Sequence, residues 1–214
     1  ELKSPLSSIK GSVEILLDDI IDDEQEKREY LKMILKESDS LSHLIDETLT
    51  LAEIDSGGVE LNKEKINIKS LFENLRVFFN NIKKEKQSLE IEVDDQLLVA
   101  ANREKIRQVL INLLSNSVKY SAADGNIKLQ AERAEDQIRI SVADDGIGIP
   151  KSEQKNIWER FYKIDKARTP GERSSGLGLA IVKQIVNEHQ GQVFLESTKG
   201  EGSVFSFSIP DSES

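Results

Sequence analysis

The first quarter of the chain has apolar positions spaced as in amphipathic helices. Two series step mainly by threes and fours, so each forms a stripe along one side of a helix. An acidic stretch, Asp22-Asp23-Glu24, lies between them and suits the start of a second helix. The stripes consist of Leu2, Leu6, Ile9, Val13, Leu16 and Ile20, and of Tyr30, Ile34, Leu41, Leu44, Thr48 and Leu51. The pattern predicts an antiparallel helical hairpin over residues 1–56.

A single hairpin leaves much of such an apolar seam in water. Two hairpins packed as a four-helix bundle cover it, so we expect a homodimer formed through residues 1–56. The alternative is that the hairpin folds back onto its own C-terminal domain.

The pattern changes after Ser56-Gly57-Gly58, which marks a domain boundary. Residues 57–214 mix helical and strand periodicities, and we expect an α+β fold, an α/β sandwich with an antiparallel or mixed sheet and helices on one face. Helices are predicted at 68–84, 103–120 and 176–190, a strand pair with a turn within 59–68, and further strands at 89–93, 97–101, 127–131, 137–142, 192–197 and 203–209.

Composition narrows the classes of function. The 39 acidic and 29 basic residues give a net charge of −10, which argues against a nucleic-acid partner. The chain has no cysteine, which excludes disulfides and thiolate metal sites and fits a cytoplasmic protein. The sequence has no run of about 18 apolar residues, so we predict no membrane-spanning helix within it. The N-terminal Glu1-Leu-Lys-Ser-Pro has neither methionine nor a signal-peptide pattern, so we expect a piece of a longer protein.

Two carboxamides interrupt the apolar helix predicted at 103–120. Asn112, Asn116 and Lys119 are spaced i, i+4 and i+7 and therefore share one helix face. A buried amide without a partner costs about 1–3 kcal/mol, so these side chains need ligands. They either satisfy backbone groups or lie at the solvent edge, or they face Mg²⁺, which prefers oxygen ligands, with Lys119 meeting a phosphate.

A carboxylate followed by glycines ends the strand-like run at 138–143. Asp144, when ionised, accepts hydrogen bonds and suits an exocyclic amino group such as that of adenine. Gly146 and Gly148 allow the backbone to approach a planar ligand closely. An ordinary Asp-Asp-Gly turn is the alternative.

A second glycine pair opens the helix predicted at 176–190. Ser175-Gly176-Leu177-Gly178 offers free N–H groups and the positive end of a helix dipole to phosphates, although such glycines also serve packing alone. The polar stretch 165–174 before it has few apolar anchors and is typical of a flexible lid. Phe161 is expected to be the hydrophobic latch of that lid or a packed core residue.

In this order, the motifs resemble the core of a bacterial sensor histidine kinase, and the resemblance covers essentially the whole chain. The matching residues are the N-box Asn112, Asn116, Lys119 and Tyr120, the G1 box Asp144, Gly146 and Gly148, the F-box Phe161, and the G2 box Gly176, Leu177 and Gly178. The resemblance implies a dimerisation and phosphotransfer hairpin followed by an ATP-binding domain of the Bergerat type. The G2 box departs from the family pattern, since Ser174-Ser175 stands where an earlier glycine is usual.

The same resemblance implies roles for these residues, with ATP and Mg²⁺ as cofactors. Asp144 would hold the adenine amino group, and Asn116 would ligate Mg²⁺ with Asn112 beside the metal and phosphates. The other residues of the four boxes would line the nucleotide. Lys163 matches a basic position at the lid edge that could approach the γ-phosphate.

The resemblance extends to Glu1-Leu-Lys-Ser-Pro-Leu, the segment that follows the acceptor histidine in the family. That histidine would immediately precede Glu1, and this chain does not contain it. Glu1 resembles the residue that orients or deprotonates the acceptor, and Ser4 the position that supports phosphatase activity. Both could instead be exposed first-turn residues. Neither histidine of the chain replaces the acceptor: for His43, on the second helix, we expect a structural or exposed role, and His189 matches a position of the C-terminal domain in the family.

By this resemblance, the expected reaction is ATP-dependent autophosphorylation of a histidine, followed by transfer to the aspartate of a response-regulator receiver domain. A membrane anchor would lie only in segments outside this chain. The competing classes are an ATP-driven clamp or chaperone, which would need a transducer domain after the ATP site, and an anti-sigma type serine kinase, which would lack the heptads. A dimerising, regulator-binding module is compatible with the kinase.

Overall fold

Two units make up the chain, Glu1–Asp55 and Ser56–Ser214. The computed structural model describes residues 3–18, 21–55, 61–164 and 175–211. Among these residues, no helix is both long enough and apolar enough to cross a membrane.

The first unit is the predicted helical hairpin, formed by α1 (Lys3–Leu17) and α2 (Glu24–Asp55). The acidic stretch starts α2 as expected, because the Asp23 carboxylate accepts a hydrogen bond of 2.7 Å from the N–H of Gln25. Of the first stripe, Leu6 and Val13 are exposed, whereas Leu51 of the second stripe is buried. The pairing of α1 with α2 therefore covers only part of the predicted seam.

A further apolar stripe lies on α2 beside the one that was predicted. Leu31, Leu35, Ile45 and Leu49 are 46–63% exposed. With the serines at positions 38 and 42 between them, they step by fours and threes, the spacing of a helix seam. The four apolar residues each follow directly after a member of the predicted stripe, so the two stripes run side by side. The hairpin alone leaves this second stripe in contact with water.

The second unit is built around a mixed five-stranded sheet. Its strands are β2 (Ser88–Val93), β4 (Asn126–Ala134), β5 (Gln137–Asp144), β6 (Gln192–Thr198) and β7 (Gly202–Pro210). They lie in the order β2-β4-β5-β7-β6. The strand β2 runs parallel to β4, and the other pairs are antiparallel. A separate two-stranded sheet pairs β1 (Glu64–Asn67) with β3 (Leu98–Ala101).

The core lies between one face of the five-stranded sheet and three helices, α3 (Ile68–Ile82), α4 (Arg103–Tyr120) and α5 (Gly178–Glu188). Alternation along the strands creates this face, since side chains two residues apart point to the same side. Its fully buried strand residues are Ile127, Leu129, Ile138, Ile140, Val142, Phe207 and Ile209. The predicted α+β fold, with helices on one face of a mixed sheet, is confirmed.

One predicted element is wrong in its pairing. The strand pair expected within 59–68 lies partly outside the described residues, and its described part contains the single strand β1, which pairs with β3 about thirty residues later. Local periodicity predicts a strand but not its partner. The last helix also begins at Gly178 rather than Gly176.

A buried histidine joins the ends of two helices in this unit. His189, immediately after α5, is fully buried. Its Nδ1 lies 2.8 Å from the carbonyl of Ile185, and its Nε2 accepts a hydrogen bond of 3.0 Å from the N–H of Asn102. Because a backbone N–H can only donate, Nε2 carries no proton and the ring is neutral with its proton on Nδ1. Both ring nitrogens of His189 are thus used within the fold.

We expect stability to fall on acidification because of His189. Burial lowers its pKa from the ordinary 6.5, so the unfolded chain binds a proton below about pH 6.5 that the folded chain excludes. Substitution His189→Gln should cost about 1–3 kcal/mol at neutral pH and flatten the pH dependence. Urea unfolding of both proteins between about pH 5 and 8 measures this. Equal pH slopes for the two proteins would contradict the assignment.

Candidate functional site

The helix α4 carries the predicted carboxamide face. It starts at Arg103 because Asn102 caps it, accepting a hydrogen bond of 3.0 Å from the N–H of Lys105. Its apolar face is buried against the sheet, whereas Asn112, Asn116 and Lys119 are half-buried. Polar groups at this depth retain access to solvent or to a ligand.

The two carboxamides have different surroundings. The amide of Asn112 donates a hydrogen bond of 3.3 Å to the carbonyl of Gly178, which ties α4 to the first residue of α5. Within the described residues, the structure gives the side chain of Asn116 no hydrogen-bond partner. Asn112 thus satisfies a backbone group, one of the expectations, whereas the half-buried side chain of Asn116 has no such bond in the described residues.

The carboxylate of Asp144 is held at the end of β5. Its Oδ1 accepts a hydrogen bond of 3.0 Å from the N–H of Gly146, and its Oδ2 accepts one of 3.2 Å from the hydroxyl of Ser117. Ser117 belongs to α4, so the helix and the strand share this carboxylate. A carboxylate can accept about four hydrogen bonds, so these two and the contribution of the Ser203 backbone leave room for a donor from a ligand.

The pKa of Asp144 is raised above its ordinary 3.8, chiefly because burial disfavours the charged form. The hydrogen bonds from Gly146 and Ser117 act in the opposite direction, and the charge of Asp145 adds to the rise. The ionised carboxylate is therefore less stable in the folded protein than in the unfolded chain. Keeping it ionised lowers the free energy of unfolding. A group that destabilises its own fold in this way is often a functional one.

The glycines after Asp144 are required by the protein itself. A Cβ at Gly146 would lie 2.7 Å from the carbonyl oxygen of Tyr120, at the end of α4. Gly148 has φ +63°, and a Cβ there would lie 1.9 Å from the carbonyl oxygen of Thr198. The sequence predicted that the backbone at these glycines approaches a ligand closely. The structure shows in addition that each glycine lies close to a backbone carbonyl of the protein itself.

Phe161 and Gly176 bracket the stretch predicted to be a lid. The N–H of Phe161 donates a hydrogen bond of 2.8 Å to the carbonyl of Gly176, and both residues have positive φ, +63° and +75°. The Phe161 ring is 52% exposed, so it is not a core residue in this structure. Residues 165–174 lie outside the described part of the chain.

The start of α5 presents backbone donors. The helix has no side-chain cap hydrogen bond in the described chain, and the hydroxyl of Ser175 instead accepts one of 3.0 Å from the N–H of Leu177. Leu177 is buried, which anchors the turn. The first N–H groups of a helix are unsatisfied within it and attract anions.

The other predicted residues fall in several places. Lys119 and Tyr120 stay together, with the Lys119 ammonium 5.5 Å from the centre of the Tyr120 ring. Lys163 is half-buried, and Ser4 is exposed on α1 in the first unit. Glu1 and the side chain of His43 lie outside the described part of the structure.

Sequence reasoning missed three polar residues that support the site. Ser117 binds the Asp144 carboxylate, while Lys84 and Gln87 bind carbonyl groups at the end of α4. The one sequence signal for Ser117 is that it directly follows Asn116 on the helix that carries the carboxamides. Lys84 and Gln87 gave no signal, because they occupy a charged stretch that resembles any surface turn.

The donor set does not form a metal cage of its own. Across the described residues, no group of three or more His, Cys, Asp or Glu side chains is placed to hold a metal. A cation such as Mg²⁺ would therefore need ligands from a nucleotide or from water in addition to amide oxygens.

Two protein families match the chain. Residues 101–213 match the family described as histidine kinase-, DNA gyrase B-, and HSP90-like ATPase. Residues 1–57 match the His Kinase A (phospho-acceptor) domain. The two matches follow the two units of the structure.

Relatives and solved structures agree with these matches. The sensor histidine kinase YclK of Bacillus subtilis is 36% identical over 98% of this chain, which spans 44% of that protein. The Acinetobacter baumannii histidine kinase AdeS has the same fold, with a TM-score of 0.82 over 99% of this chain and 98% of that one, at 24% identity. Histidine kinase ThkA, solved in complex with response regulator protein TrrA, matches with a TM-score of 0.76 and 26% identity over 99% of this chain and 59% of that one.

The order of the motifs, the presence of two structural units and the two family matches all indicate the same family. The chain belongs to the histidine kinase-, DNA gyrase B- and HSP90-like ATPases, and it has the two-domain core of a two-component sensor histidine kinase.

Proposed function

We propose that this chain is the catalytic core of a protein-histidine kinase. The second unit binds ATP, and the full-length protein transfers the γ-phosphoryl group to a histidine and then to an aspartate of a response-regulator receiver domain. The observation that carries the proposal is the Asp144 carboxylate, half-buried and held by donors from two elements. Such a fixed acceptor suits an adenine amino group, which offers only donors.

The metal and phosphates are assigned to the facing ends of α4 and α5. Asn116 offers a carbonyl oxygen to Mg²⁺, and the N–H groups at Gly176–Gly178 meet phosphate oxygens. The Asn112 hydrogen bond to Gly178 ties the middle of α4 to the start of α5. When bound, Mg²⁺ supplies charge neutralisation, on which phosphoryl transfer depends together with positioning.

The other assigned residues complete the reaction. Lys119, Tyr120, Gly146, Gly148 and Phe161 line the nucleotide. Lys163 approaches the γ-phosphate. Glu1 orients or deprotonates the acceptor histidine that the resemblance places immediately before it. Ser4, exposed on the first turn of α1, occupies the position that serves dephosphorylation of the regulator.

The exposed stripe on α2 supports a homodimer through residues 1–56. Its large apolar side chains lie next to the stripe that packs on α1, so a second hairpin can bury them in a four-helix bundle. The regulator is the second partner, in keeping with the complex in which ThkA was solved. We propose a cytoplasmic location for this core.

The kinase reaction is tested with the full-length protein and γ-labelled ATP. We expect label that is acid-labile and base-stable, as for phosphohistidine, and its transfer to a receiver domain. ATP binding without any label would contradict the kinase function.

Substitution Asp144→Asn should weaken ATP binding about 10- to 100-fold, because an ionised acceptor is replaced by a neutral amide. The variant should remain folded and dimeric, since the ionised form is the one that burial disfavours. Calorimetric titration with ATP measures the effect. The control is Asp145→Asn, because Asp145 is exposed and, among the described residues, accepts from the N–H of Asn126 at 2.9 Å and not from α4. Equal affinity of the two variants would contradict the role of Asp144.

Substitution Ser117→Ala should make ATP binding more sensitive to acid. The ionised carboxylate of Asp144 is the form that accepts from adenine, and loss of the Ser117 donor raises its pKa further. The ratio of variant to wild-type dissociation constants should therefore grow as the pH falls. Ser121→Ala is the matched control, since in the described chain the buried hydroxyl of Ser121 has no hydrogen-bond partner. A ratio independent of pH would contradict this account.

The double substitution Leu35→Glu and Ile45→Glu should convert the dimer into a monomer, because two charges per chain would enter the apolar interface. Sedimentation or light scattering measures the mass. The control is Val77→Glu, which changes an exposed apolar residue of α3 in the second unit. A double variant that stays dimeric would exclude the stripe as the interface.

A further inference from the structure

The turn between α3 and β2, residues 83–88, grips the end of α4. The Lys84 ammonium donates to the carbonyls of Lys119 and Ser121 at 3.0 and 2.7 Å. The amide of Gln87 donates to the carbonyls of Val118 and Ala122 at 3.0 and 2.9 Å. The last carbonyls of a helix have no partner within it, and the two side chains satisfy two of them in α4 together with two carbonyls just beyond it.

Further hydrogen bonds fix the conformation of this turn. One, made by the side chain of Gln87, lies within the turn, and two others join the turn to the residues that follow α4. The Gln87 side-chain oxygen accepts a hydrogen bond of 2.9 Å from the N–H of Lys84, which fixes which way its amide points. The N–H groups of Lys86 and Ser88 donate to the carbonyls of Ala123 and Gly125 at 3.2 and 3.1 Å. Gln87 is 2% exposed, so water does not replace these bonds.

The same end of α4 contacts the Asp144–Gly148 turn through the one carbonyl that Lys84 and Gln87 do not bind. The N–H of Ile147 donates to the carbonyl of Tyr120 at 3.3 Å. The Cα of Gly146 packs so closely on that carbonyl that no side chain fits. Any displacement of the end of α4 is therefore transmitted to the turn that presents Gly146 and Gly148.

We propose that Lys84 and Gln87 are positioning residues of the nucleotide site. They act through the end of α4, setting the places of Lys119, Tyr120 and the glycine turn without touching the ligand. This inference rests on the proposed binding of ATP to this unit.

Lys84→Met is the test, because it keeps the length of the side chain and removes the ammonium. We expect about tenfold weaker ATP binding, the scale seen for residues that couple to a site without contacting it. Lys84→Arg retains donors and should bind within about twofold of wild type. Lys86→Met is the matched control, an exposed lysine of the same turn with no side-chain hydrogen bond in the described structure, and should leave affinity unchanged.

A second measurement separates positioning from general stability. Without nucleotide, the amide NMR signals of Gly146 and Ile147 should shift in Lys84→Met and stay in place in Ile138→Val. Ile138 is buried at the far end of β5, so its substitution loosens the core away from the site. All titrations are run well below the unfolding midpoint of each variant.

Wild-type affinity in Lys84→Met, or equal losses in Lys84→Met and Ile138→Val, would overturn the positioning role while leaving ATP binding intact. No ATP binding by the wild-type protein would instead overturn the proposed function, and the positioning role with it.

Discussion

A close approach between the end of α4 and the turn after β5 holds the second unit in a form that can bind a nucleotide. The carbonyl of Tyr120 meets the backbone at Gly146 and Ile147, and the hydroxyl of Ser117 meets the carboxylate of Asp144. Only a residue without a side chain fits at Gly146. The helix that offers the carboxamides and the strand that offers the carboxylate are thereby held in one arrangement.

This arrangement includes groups that do not favour the fold by themselves. Burial raises the pKa of Asp144, and Asn116 has no partner in the described protein. In the first unit, Leu31, Leu35 and Leu49 remain exposed on the hairpin. For each of these groups we propose a partner outside the single chain, namely a base, a cation or a second hairpin. The deviations from ideal packing therefore coincide with the proposed functional surfaces.

The sequence predicted most of the fold because its elements have strong local periodicity. Apolar spacing placed α1 to α5 within a few residues, and alternation identified most of the strands. It failed for β1, whose partner β3 is about thirty residues away, since pairing at that distance leaves no local pattern. Of the site, the motif residues were predictable, whereas Lys84 and Gln87 were not. Their partners are backbone carbonyls, which carry no sequence information.

What the sequence determined by itself is the set of chemical groups and their order along the chain: two carboxamides on one helix face, a carboxylate before glycines, and a glycine pair opening a helix. What only the tertiary structure decided is how these groups are held. Asn112 is tied to Gly178, Asp144 shares its carboxylate with Ser117, and a remote turn grips the end of α4. Spacing fixes which residues share a face of an element, but contacts between elements arise only when the whole core packs.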